Sequence, residues 1–288
     1  MRKVFLSLML VLMFAVVSFA VTEDELLKQT PVQLKAKVEE MLAAGIKSED
    51  ALNMVKNMFQ YRVQTKYAAK VIDAVLEAKR QGLPVGPMVS KVNEGLAKNI
   101  ETEKIYQALN KVKNRYTYAY HKIERLKVNQ QVRAKLAKNI VDAMAAGMKK
   151  DHIDDVIEAL EQRMEKVKEN EDYAIEVTEM AKEMARHGVD SDEAKNVIEN
   201  AMKHEFTAQE MKEMREAFME QARMGEPEDI AEQMSENLEH GARGGDVGHD
   251  VDDVGGPGMS DSSSEGMGSA NDGGHDDGGG HGEGHGGF

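Results

Sequence analysis

Residues 105–126 read IYQALNKVKNRYTYAYHKIERL. Ile105, Leu109, Val112, Tyr116, Ala119, Ile123 and Leu126 follow one another in steps of four and three, which puts them on one stripe of a helix. The pattern predicts one long helix packed against a partner helix. Ile153, Ile157, Leu160, Met164 and Val167 repeat the spacing. Apolar positions return at a period near 3.6 almost everywhere between Leu34 and Leu238, without sustained strand-like alternation. The expected fold is all-α: roughly ten helices between residues 30 and 240, paired into repeats that form an irregular bundle or an α-solenoid.

Five glycines mark the pairs. Gly45, Gly82, Gly147, Gly188 and Gly225 are spaced by 37, 65, 41 and 37 residues. Each is expected to end an amphipathic helix, because glycine enters the positive-φ conformation of a helix C-cap without strain. Val38, Val75, Ile140, Ala181 and Phe218 stand seven residues before them, and Ile46, Leu83, Met148 and Val189 follow the first four. Ser48 and Ser191 are expected to cap the helices that follow, Thr207-Ala208-Gln209-Glu210 reads as a capping box, and Pro31, Pro87 and Pro227 suit first helical turns. The 65-residue interval accommodates an additional unit from Pro87 to Leu126. Between Ile46 and Gln81 there is neither glycine nor proline, so the sequence places no break near Gln64 and a single long helix there stays open.

The stretch Gly82-Leu83-Pro84-Val85-Gly86-Pro87, continuing through Lys91-Val92-Asn93-Glu94-Gly95-Leu96-Ala97-Lys98, resembles a segment of uncharacterised exported helical bacterial proteins. The resemblance covers residues 82–126. It implies export and a helical fold, and it carries over no catalytic residue.

Arg2 and Lys3 precede an apolar run from Val4 to Val17 and the small-x-small site Ser18-Phe19-Ala20, so residues 1–20 read as a signal peptide cleaved after Ala20, with an uncleaved anchor as the alternative. The mature chain is expected to be exported, periplasmic or extracellular, with no transmembrane helix. Loss of Arg2 and Lys3 leaves 35 basic residues against 51 acidic ones and takes the net charge from −14 to −16, which argues against a general nucleic-acid binder. The chain has no cysteine, so disulfides, thiolate metal sites and thiol nucleophiles are excluded. A helical domain is expected over 21–240, with a subdivision possible near 127–131, and a disordered Gly/His/Asp-rich tail over 241–288, whose few apolar residues cannot bury enough surface to fold alone.

Within this acidic chain, residues 104–138 contain a single acid, Glu124. Lys111, Lys113, Arg115, Lys122 and Arg125 interleave there with tyrosines. They form a candidate patch for a polyanion, an anionic envelope component or the acidic half of another copy; the competing reading is a solvated helix face with Tyr116 in the core. In the tail, His249, His275, His281, His285, Asp276 and Asp277, supported by Asp272 and Glu283, supply imidazole and carboxylate groups suited to weak binding of Zn²⁺, Ni²⁺ or Cu²⁺. Asp250, Asp252, Asp253, Gly255 and Asp261 only approach a calcium loop, since Val254 stands where an oxygen ligand is needed. No cofactor is required by any motif.

His121, His152, His187 and His204 have no catalytic spacing, and His187 beside Gly188 suits a helix C-terminus. Met41, Met144, Met180, Met184, Met211 and Met214 sit on apolar faces and read as core filling. Three functions are compatible with this inventory. A non-catalytic exported interaction or scaffold protein fits best. A periplasmic stress or metal-responsive chaperone is second, although Phe206-Thr207-Ala208-Gln209-Glu210 only approaches the leucine-threonine-x-x-glutamine signature of such chaperones. An exported hydrolase with unplaced carboxylates is third.

Overall fold

The computed structural model describes residues 28, 30, 32–166 and 170–248. The proposed signal peptide, Pro31, Val167 and every tail residue after Gly248 lie outside them. Among the described residues run eleven α-helices and no strand. They are α1 Val32–Ala43, α2 Ser48–Gln60, α3 Thr65–Arg80, α4 Gly86–Ala97, α5 Thr102–Lys122, α6 Gln130–Ala146, α7 Lys150–Met164, α8 Asn170–His187, α9 Ser191–Lys203, α10 Ala208–Gln221 and α11 Pro227–Glu239. Two 3₁₀ turns are added at Ile123–Arg125 and Gly244–Gly248. None of the described helices is long and apolar enough to cross a membrane.

The chain divides into two compact units between Tyr106 and Gln107, inside α5. The 127–131 segment falls within the second. In the first unit α1 packs on α3 and α2 on α4, so each helix contacts the second one along. Met41, Met54, Ile72, Leu76 and Met88 fill the interior. Gly95 of α4 is required by the approach of α5: a Cβ there would lie 2.7 Å from Cγ1 of Ile105. In the second unit the same rule makes two rows, α6 with α8 with α10, and α7 with α9 with α11. Tyr173, Phe206, Phe218 and Leu136 are fully buried there.

The expected helical run over 105–126 forms as α5 up to Lys122 and then tightens into the 3₁₀ turn. Six of its seven apolar residues are buried, Val112 being half-exposed. Of the six methionines expected in the core, only Met144 is not fully buried. The capping box at Thr207 and Glu210 forms, and Pro87 and Pro227 occupy first turns.

The helix ends resolve one alternative the sequence leaves open and correct two readings. First, the chain does break near Gln64. Arg62 takes φ 54°, its N–H bonds Phe59 O at 2.9 Å, and Val63 N–H bonds Met58 O at 2.9 Å. This paired closure is the one made at Gly45, Gly82 and Gly188, and Asn99 and Glu205 repeat it with φ 54° and 61°. Second, Gly225 is no left-handed cap; its role is proximity, a Cβ there falling 3.3 Å from Cδ1 of Ile230. Third, Ser48 makes no cap hydrogen bond, and α9 is capped by Asp190, which accepts from Asp192 N–H. Ser191 is used elsewhere.

Candidate functional site

Several polar side chains of the second unit join a helix to its neighbour in the row. The N-cap residue of a helix has a backbone N–H that a local capping box would satisfy from three residues ahead. In α6, α7 and α9 it is satisfied from the next helix of the row, whereas α10 keeps the local box at Thr207. Asn129, the N-cap of α6, donates its N–H to Glu171 of α8 at 2.6 Å and its side-chain amide to the same carboxylate at 2.7 Å. Lys149, before α7, donates to Ser191 Oγ of α9 at 2.8 Å. Asp190, before α9, donates to Glu228 of α11 at 2.6 Å. The separations are 42, 42 and 38 residues, one helix pair each time. Asn139 with Thr178 and Arg215 with Glu176, both 39 residues apart, add ties at 3.1 Å and at 2.8–3.0 Å.

His152 Nδ1 also meets Ser191 Oγ, at 2.9 Å, with Asp192 3.6 Å from its Nε2. The three residue types invite a hydrolytic reading. The geometry favours a tie: Ser191 is buried, its hydroxyl already receives Lys149 N–H, and it stands in the first turn of α9 facing α7. His187 packs edge-on against the ring of Phe218, 5.7 Å between centroids, and Glu183 is engaged by Lys182 and Arg186.

The basic candidates divide. Lys122 pairs with Asp154 of α7 at 2.8 Å and Arg125 with Glu161 at 3.4 Å. Tyr118 donates to Asp154 at 2.6 Å, with Lys150 O 2.8 Å away, and its ring lies beneath the ammonium groups of Lys122 and Lys150. Burial first, then Asp154, raises the Tyr118 hydroxyl above its ordinary value. This end of the patch is thus matched by carboxylates of its own chain. Lys111 is exposed, and Lys113 and Arg115 are half-buried, on the preceding turns of α5. Tyr116 is in the core, where burial pushes its hydroxyl up to about 12.

Between α7 and α9 runs an open groove of about 560 Å³. Asp155, Glu158 and Arg163 line it from α7, and Lys195, Glu199 and Lys203 from α9. Arg163 is the unusual member. Its side chain is only 15% exposed, its terminal nitrogens reach Glu205 and Phe206 O at 3.5 Å, and its buried Nε has no hydrogen-bond partner. Burial pushes the hydroxyl of the fully buried Tyr173 up to about 12, against the pull of the nearby Arg163. On α9, Glu193 is raised by burial, with Glu232 and Glu228 of α11 adding to the rise.

No group of three or more acidic or histidine side chains among the described residues is arranged to hold a metal ion. The tail candidates His249, His275, His281, His285, Asp276 and Asp277 lie outside the described residues. Sequence reasoning missed Arg163, Arg243 and the cross-row caps; their only signal is an acid or hydroxyl in a first helical turn about forty residues after another helix start. Comparison with protein-family models, curated proteins and solved structures gives no match.

Proposed function

We propose that this chain is a non-catalytic exported interaction or scaffold protein whose stacked helices present a charged groove to a protein partner. The α7–α9 groove carries this reading. The groove is open to solvent and brings acidic and basic side chains of two neighbouring helices, Asp155 and Glu158 of α7 with Lys195, Glu199 and Lys203 of α9, onto one face. Mixed, solvent-facing charge favours recognition through complementary pairing, which fixes register and partner choice more than raw affinity. The helix-pair stacking suits a binding surface, since each pair added to a row lengthens the face.

A photocrosslinking residue in place of Gln162, which lines the groove, tests the reading in the intact envelope. A discrete crosslinked protein is expected from that position and not from exposed Glu239 on α11. Equal labelling from both positions, or none, would remove the groove. The chaperone alternative is separated by a holdase assay, because only a chaperone suppresses client aggregation at stoichiometric amounts. Burial of five of the six methionines gives those residues a packing role and leaves that alternative resting on export and the tail.

A further inference from the structure

Residues 241–248 were expected to belong to the tail. Instead they turn back against α10 and α11 and end in the 3₁₀ turn Gly244–Gly248. The contacts are specific. Arg243 forks onto Glu210, with Nε at 2.6 Å and Nη2 at 3.0 Å from the two carboxylate oxygens. Its Nη1 donates to His204 O at 3.0 Å, its Nη2 reaches Glu205 O at 3.4 Å, and the guanidinium lies 5.0 Å from the centre of the Phe206 ring. Val247 is completely buried, and its carbonyl accepts from the buried Asn237 amide at 2.9 Å. Gly248 O accepts from Gln221. Two glycines suit their places: Gly244 takes φ 55°, which L side chains rarely adopt, and a Cβ on Gly248 would lie tightly, 3.0 Å from both Ala217 Cβ and Gln221 Nε2.

These are the elements of a peptide-recognition site: a carboxylate and two free helix-end carbonyls for a guanidinium, an aromatic face beneath it, a closed apolar position and two side-chain amides for the main chain. We infer that the surface made by the end of α9, α10 and α11 is a binding site for a segment of the form Arg-Gly-x-x-apolar-Gly that follows its arginine with a 3₁₀ turn, occupied in cis by residues 243–248. Arg243 and Val247 are its two anchors, and the two glycines disfavour side chains at their positions. The chain's own segment competes with any segment of the same chemistry, and the same residues of a second copy have that chemistry. A segment tethered this closely acts at an effective concentration on the order of millimolar, so external ligands are held off unless the tethered one is weakened. The carboxylate of Glu210, drawn down to about 2 chiefly by Arg243, stays charged for this role at any physiological pH. The site adjoins the α7–α9 groove, since Glu205 lines the groove and its carbonyl also meets Arg243; the two readings are told apart by their readouts, peptide affinity here and crosslinking from Gln162 there.

The test uses the full chain with Arg243→Ala and Val247→Asp together, and a labelled peptide comprising residues 241–248. The peptide is expected to bind the doubly substituted chain at least tenfold more tightly than the unsubstituted chain, and to raise its melting temperature. The same peptide carrying Arg243→Ala should bind at least tenfold more weakly. If circular dichroism shows that the double variant is unfolded, Arg243→Ala alone, a change at an exposed residue, replaces it with the same expected ranking. Equal binding to substituted and unsubstituted chains, or equal binding by the two peptides, would overturn the inference.

Discussion

The two units join their rows at nearly the same sequence separation and with different chemistry. In the first unit the ties are Lys37 with Asp73 and Glu40 with Arg80, 36 and 40 residues apart, on side chains that are mostly in water, together with Asn57 and Asn93. The second has an ion pair with an exposed carboxylate too, Arg163 with Glu205, but adds ties 38 to 42 residues long that reach backbone N–H groups or lie in low-exposure positions: Arg215 and Glu176 are 13% and 16% exposed. The length of a helix pair therefore sets the period, and the chemistry at each joint is free to vary. What a joint contributes depends on water. An exposed ion pair is offset by the hydration it loses and screened by salt, whereas an orphaned backbone donor leaves a cost when its partner is removed.

The largest change expected bears on what both units share, an apolar interior. Phe218→Ala should cost about 3–5 kcal/mol in chemical denaturation, because the ring is fully buried between α8 and α10 and leaves a cavity. A cost below about 1 kcal/mol would mean that the interior is not packed as described. The next effect belongs to acid. Glu210 is held at about 2 in the folded chain against an ordinary value of 4.5, so its contribution is fully present above about pH 4.5 and is lost as pH falls toward 2. Melting curves across that window should show Glu210→Gln losing less stability on acidification than the unsubstituted chain; parallel curves would contradict the pairing with Arg243.

Ser191→Ala sharpens the contrast between the joints. It removes the acceptor for Lys149 N–H and a partner of His152, and should cost about 1 kcal/mol with little dependence on salt. Lys37→Ala, at the far end of the scale, should cost less than about 1 kcal/mol, and added salt should shrink the difference from the unsubstituted chain. If the two substitutions respond to salt alike, the distinction between the units fails.

Helices were legible because the apolar period is local and strong, as in Ile105 to Leu126, and the Thr207 box was legible because both its residues lie within one turn. The break after α2 was not, because Arg62 makes a turn for which glycine is the usual signal; Val63 behind it was the remaining clue. Gly225 carried the opposite error, a glycine retained for proximity to Ile230 and read as a cap. Ser191 was assigned to its own helix, since nothing local reveals an acceptor role toward Lys149 of α7. Residues 241–248 read as tail because glycine and aspartate signal solvation, yet glycine is also what admits a backbone to within contact of α10. Each miss concerns a contact about forty residues away or a residue type with two uses. The site suffers most from this, since Arg163, Arg243 and their surroundings are assembled almost wholly by such contacts.

Because the chain has no cysteine of its own, the stacking of each helix on the second one along can be tested by placing cysteines in pairs. Asn139→Cys with Thr178→Cys joins α6 to α8, where the native side chains meet at 3.1 Å, and Asn57→Cys with Asn93→Cys joins α2 to α4, where they meet at 3.0 Å. Both pairs should form an intramolecular disulfide under mild oxidation, seen as a shift in electrophoretic mobility reversed by reductant, while pairs displaced by one helical turn, Asn139→Cys with Lys182→Cys and Asn57→Cys with Ala97→Cys, should form far less. Absence of crosslinking in the matched pairs, or equal crosslinking in the displaced ones, would contradict the arrangement on which the account rests.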